Sequence, residues 1–69
     1  MRISARNQLR GTVRSLELGA IMSEVVVDVG GQEIVAAITR GSAERLGLQE
    51  GSEAIVIIKA TDVMVATPA

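Results

Sequence analysis

Apolar and polar residues alternate along much of this chain at a period of two, the spacing that puts every second side chain of a strand on one face. The pattern predicts a first strand from Leu9 to Leu18, with Gly11 as a bend or bulge, because a glycine inside a strand permits sharp coiling. A turn around Gly19 follows, within Glu17 to Ala20. Ile21 to Val29 then places Val25, Val27 and Val29 on one face and Glu24 and Asp28 on the other, a half-buried second strand. Gly30-Gly31 supplies the positive φ angles that a tight hairpin needs, so Gln32 to Thr39 is expected as the third strand, paired with the second.

Beyond Thr39 the period changes. Ser42 to Leu48 reads as one short helix, with Ser42 as its N-cap and Gly47 as its C-terminal stop. Gln49 to Ser52 is a turn, and Ala54 to Ile58 a strand with both faces apolar. One face can line a core; the other is expected to meet a second subunit. Asp62 to Ala66 forms a last short strand, with Pro68 in a loose tail. The expected fold is all-β: a five-stranded, OB-like Greek-key barrel with one short helix after the third strand. It fills a single domain over residues 1–69, with no linker, internal repeat or low-complexity segment.

Composition adds the need for a partner. The 69 residues are 48% hydrophobic yet contain no Phe, Tyr or Trp, so any core is built from aliphatic side chains. With no Cys and no His, neither a disulfide nor an ordinary structural zinc can reinforce so small a domain. Ordering the chain costs on the order of 100 kcal/mol, which leaves an aliphatic core of this size little net stability by itself. An obligate homo-oligomer is the remaining solution.

Charge and hydropathy exclude several partners. A net charge of -1 leaves no electrostatic footprint for DNA or RNA. OB folds that hold single strands also use a basic groove and aromatic stacking platforms, and this chain has neither. The longest apolar runs, such as Ala54 to Ile58, fall far short of the ~20 residues that span a bilayer. Met1 to Arg6 is not followed by the hydrophobic stretch of a secretory signal, so a soluble, cytoplasmic protein without membrane or nucleic-acid partners is expected.

The same absences narrow the chemistry. Without His or Cys there is no Ser-His-Asp or Cys-His nucleophile set, and the eight carboxylates are scattered without the spacing of a cation site. No glycine-rich nucleotide loop followed by Lys-Ser or Lys-Thr is present. A Ser-Lys pair assembled from Ser4 or Ser42 with Lys59 has no marked substrate cleft or oxyanion hole beside it, so an enzyme is not expected.

Two polar clusters stand out instead. Ser4-Ala5-Arg6-Asn7-Gln8 and Lys59-Ala60-Thr61 hold hydroxyls, amide donors and two cations, with no carboxylate until Asp62. This composition suits a tetrahedral oxyanion, whose four oxygens need several converging donors and enough positive charge to offset desolvation. Arg6 and Lys59 can supply charge, Ser4, Thr39 and Ser42 hydroxyls, and Ala5 and Ala60 backbone N–H groups. A helix beginning at Ser42 would add further N–H donors. Each element also has a plainer reading: Ser4 to Gln8 as a polar arm, Lys59 as a solvated strand end, Ser42 as a helix cap, Thr39 as a strand residue. Arg2, Arg10, Arg14, Arg40 and Arg45 read as surface or interface charges.

Three segments carry a resemblance to a known family. Ser4-Ala5-Arg6-Asn7-Gln8 followed by Leu9-Arg10-Gly11 resembles the opening motif of the molbindins, the molybdenum-pterin-binding proteins of the Mop family with their TOBE-like domain. The run from Ile38-Thr39-Arg40-Gly41-Ser42 to Leu46-Gly47-Leu48 is similar to their strand-to-helix segment, and Lys59-Ala60-Thr61-Asp62-Val63 to their closing motif. The resemblance implies an OB-like barrel assembled as a hexamer, a trimer of dimers, with molybdate or tungstate held between subunits. Position by position, it implies anion contacts from Ser4, Ala5, Arg6, Thr39, Ser42, Lys59 and Ala60, the last through its backbone alone. It also implies a second, backbone-lined class of site near the three-fold axis. The implied role is intracellular molybdenum storage and homeostasis by reversible binding. With no residue before Met1 or after Ala69, the sequence is read as a free-standing molbindin. The alternative is a ligand-free OB-like module that oligomerises or docks on another protein.

Overall fold

A computed structural model describes residues 1–68. Four strands appear in chain order: β1 (Asn7–Leu18), β2 (Met22–Val29), β3 (Gln32–Thr39) and β4 (Glu53–Ile58). A six-residue helix α1 (Arg40–Arg45) follows β3, and a 3₁₀ turn (Ala60–Asp62) follows β4. All neighbouring strands are antiparallel, in the order β3-β2-β1-β4. Three strands joined in sequence, with a fourth returning to lie beside the first, is the Greek key. The all-β class and its topology therefore stand as expected.

The alternating valines make the core. Val13, Val25 and Val27 are buried together on one face, and Leu16, Ala36, Ile38, Leu48, Ala54 and Val56 pack partly buried around them. Gly30 (φ 57°) and Gly31 (φ 88°) turn the β2–β3 hairpin in the left-handed region, and the Gly31 N–H donates to Asp28 Oδ1 at 2.9 Å. The glycine pair performs the role expected of it.

Strand β1 is long because it serves two partners. Its first half pairs with β4, from Asn7↔Ile58 to Thr12↔Glu53, and its second half with β2, from Thr12↔Asp28 to Leu18↔Ser23. At the changeover the register slips between Val13 and Ser15, which puts the bulge at Arg14 and not at Gly11. The extra residue lets both Val13, opposite Val27, and Leu16, opposite Val25, face the core although they are three apart. Gly11 answers a different demand: a Cβ there would stand 2.4 Å from the Asp28 carbonyl oxygen and 2.8 Å from Val27 Cγ1.

Three further expectations are corrected. The first strand starts at Asn7, two residues early, because the Asn7 and Gln8 backbones complete the ladder with Ile58 and Ile57. The helix starts at Arg40 and ends at Arg45, and its N-cap is Thr39, whose Oγ1 accepts from the Ser42 N–H at 3.0 Å. Ser42 therefore sits inside the first turn and is not the cap. Gly47 does end the helix, at φ 64°, with Leu48 N–H donating to the Ala43 carbonyl and Gly47 N–H to that of Glu44.

The fifth strand is the last correction. Asp62 belongs to the 3₁₀ turn, and no strand follows it among the described residues. Strands β3 and β4 are the sheet edges, and residues 63–68 pair with neither within this chain. Val63, Met64 and Val65 are 46%, 94% and 90% exposed, so their apolar surface finds no cover here.

Candidate functional site

The polar N-terminal segment and the Lys59 segment meet at one end of β1. Asn7 and Ile58 are register partners, so Arg6 and Lys59 are the next residues outward from adjacent strands. The Asn7 side-chain amide donates to the Ile58 carbonyl at 3.1 Å, and Gln8 Nε2 donates back to the Ala5 carbonyl at 2.8 Å. The Asn7 amide ties the start of β1 to the end of β4, and the Gln8 amide closes the N-terminal segment back on itself at Ala5. Ser4, Arg6, Lys59 and Ala60 are exposed there and Ala5 is half-buried. Ala60 opens the 3₁₀ turn, whose leading N–H groups have no partner inside the turn.

Thr39 and Ser42 stand at the other end. Thr39 pairs with Met22, one step beyond the Leu18↔Ser23 pair that closes the β1–β2 ladder. Between the two clusters runs the whole of β1, 12 residues, or about 40 Å of chain at ~3.3 Å per residue. One chain brings Ser4, Ala5, Arg6, Lys59 and Ala60 together; it does not bring Thr39 and Ser42 to them.

Charge is distributed in the same two places. Arg10 pairs with Glu53, Arg14 with Asp28 and Glu33, and Arg40 with Glu44, all on exposed surface where such pairs contribute little. Among the described residues Arg2, Arg6, Arg45 and Lys59 form no ion pair, although the chain carries eight acids. Arg45 is exposed, as expected of a surface or interface charge, and its Nη2 also donates to Ser42 Oγ at 3.1 Å. Its i,i+3 spacing from Ser42 on a helix was the signal that places them on one face.

The second cluster is a closed set of hydroxyl contacts. Thr39 Oγ1 accepts from the Ser42 N–H and donates to Ser42 Oγ at 2.8 Å. The Ser42 N–H is therefore already satisfied by the cap, which removes it from the donors available to a ligand. No group of three or more His, Cys, Asp or Glu side chains able to hold a metal ion occurs among the described residues. Among the described residues no helix is long and apolar enough to cross a membrane. Hydroxyls, backbone N–H groups and unpaired cations, without a carboxylate among the seven candidate residues, fit an oxyanion and not a cation.

Comparison with known proteins agrees with this chemistry. Residues 3–65 match the family described as TOBE domain. Molybdenum-pterin-binding protein 1 of Clostridium pasteurianum is 50% identical over 66 residues, which cover 94% of this chain and 97% of that protein. A molybdate-binding protein from Sporomusa ovata superposes with a TM-score of 0.92 at 40% identity, covering 97% of this chain and all of that one. The cytoplasmic molybdate-binding protein ModG, solved with molybdate bound, superposes at 0.83 and 43% identity, covering 87% of this chain and 43% of its own. The chain carries a TOBE domain and belongs to the family of the molybdenum-pterin-binding proteins.

Proposed function

We propose that this protein binds molybdate or tungstate at sites shared between subunits of a homo-oligomer, and that it stores molybdenum in the cytoplasm by reversible binding, without catalysis. The observation that carries the reading is the separation of two donor clusters, each with unpaired cations, by the full length of β1. Both clusters lie at exposed strand ends, so an anion held by either one alone stays open to solvent, and a second chain presenting the other cluster would close the shell. Ser4, Ala5, Arg6, Lys59 and Ala60 of one subunit and Ser42 of another, its hydroxyl held by Thr39, then form one shell. That two solved relatives described as molybdate-binding superpose on 97% and 87% of this chain favours the same anion here.

Burial supports the oligomer. Only Val13, Val25, Val27 and Ala43 are buried apolar residues among those described, each valine contributing about 2 kcal/mol. The core face opens as a cavity of about 530 Å³ bordered by Val25, Val27, Ile38 and Val56. An open core and an uncovered apolar tail are both resolved by association, and a hexamer built as a trimer of dimers is the assembly proposed.

Isothermal calorimetry with molybdate, tungstate and sulfate tests the ligand. Saturable heat with the first two is expected, and Arg6→Ala and Lys59→Ala should each weaken binding by more than ~1.5 kcal/mol, as for hydrogen bonds to a charged group. Absence of heat from assembled protein at micromolar concentration would leave the ligand-free docking module as the better account.

A further inference from the structure

We propose that Arg45 is a further anion-binding residue of this site, one that both adds charge at the Thr39 end and fixes the direction of the Ser42 hydroxyl. The inference rests on the oxyanion reading above and goes beyond the seven residues assigned there. A serine hydroxyl has one proton to donate and two lone pairs to accept with. Ser42 Oγ accepts from Thr39 Oγ1 at 2.8 Å and from Arg45 Nη2 at 3.1 Å. The Arg45 contact takes one Ser42 lone pair, and with Thr39 Oγ1 as donor of the 2.8 Å contact the Ser42 proton is free for an acceptor outside the cluster. A bound oxyanion is such an acceptor; a cation is not.

The surroundings explain why charge is needed there. On the face that carries Thr39, the next alternate positions are Ala37 and, across the ladder, Glu24, which is itself the register partner of Glu17. Two carboxylates directly opposite each other repel, and neither forms an ion pair among the described residues. A dianion approaching this end meets negative charge. Arg40 cannot offset it freely, because its Nε pairs with Glu44 at 3.7 Å and its Nη1 donates to the Gly19 carbonyl at 3.4 Å. Arg45 has no acid partner, and the missing side chain of Gly41 leaves it room: a Cβ at Gly41 would already lie 3.4 Å from Arg45 Nη1.

A charge role and a packing role are separated by comparing molybdate with perrhenate, a tetrahedral oxyanion of similar size that carries one negative charge instead of two. Calorimetry on the assembled wild type, Arg45→Met, Arg45→Lys and the surface control Arg10→Met supplies the data. The expected result is a loss of at least fivefold in molybdate affinity for Arg45→Met, a smaller loss for perrhenate, partial recovery in Arg45→Lys, and no change in Arg10→Met. Wild-type affinity for molybdate in Arg45→Met, or equal losses for both anions, would overturn the assignment. If wild type itself fails to bind molybdate, the oxyanion reading falls and this inference falls with it.

Discussion

The side-chain amide of Asn7 donates to the backbone carbonyl of Ile58 at 3.1 Å, across 51 residues of sequence. That bond, added to the Asn7↔Ile58 ladder pair, is what holds Arg6 beside Lys59. Two cations brought together at a strand end repel unless something else fixes them, and the amide supplies part of that fixing. Asn7 is thus a positioning residue for the first half of the proposed site.

Asn7→Ala is expected to lower stability by about 1 kcal/mol, the net worth of one hydrogen bond. It should also weaken anion binding, because the arm is released from β4. Urea denaturation and calorimetry on the same preparation check both. Lost binding with unchanged stability would make Asn7 a direct contact instead.

Of the seven glycines, Gly11 would bring an added Cβ closest to its neighbours. Gly11→Ala drives a Cβ to within 2.4 Å of a backbone oxygen that cannot rotate away, so overpacking of about 1–3 kcal/mol is expected. The midpoint of chemical denaturation should fall accordingly. An unchanged midpoint would mean that β1 and β2 can separate at this point without cost.

Much of this was legible in the sequence, and the misses have identifiable causes. Val25, Val27 and Val29 alternate cleanly, and Gly30-Gly31 can do little but turn, so β2, β3 and their hairpin were readable from local chemistry. The bulge was readable too: apolar positions run odd to Val13 and even from Leu16, a change of parity that demands one extra residue. Ser42 and Thr39 compete for the cap, and the end of β3 decides for Thr39, whose extended backbone (ψ 150°) aims its hydroxyl at the helix. The fifth strand failed for a different reason, since alternation shows that a segment suits pairing but not whether a free edge lies within reach.

The exposed segment Val63-Met64-Val65 gives a test of assembly. Met64→Asp places a charge where 94% of an apolar side chain faces outward in the single chain, and such a change is ordinarily neutral on a true surface. If the segment is covered in the oligomer, the substitution should shift sedimentation toward smaller species at micromolar concentration. Unaltered sedimentation would place the subunit contacts elsewhere.

The central claim is that one site takes its donors from two chains, and subunit mixing tests it most directly. Lys59→Ala disables one cluster and Ser42→Ala the other, so each variant alone should bind molybdate weakly. Refolded together at equal amounts, random assortment in a symmetric oligomer leaves about one site in four with both clusters intact. Calorimetry of the mixture should recover that fraction of wild-type sites at wild-type affinity. A mixture that binds no better than the two variants measured separately would contradict a shared site.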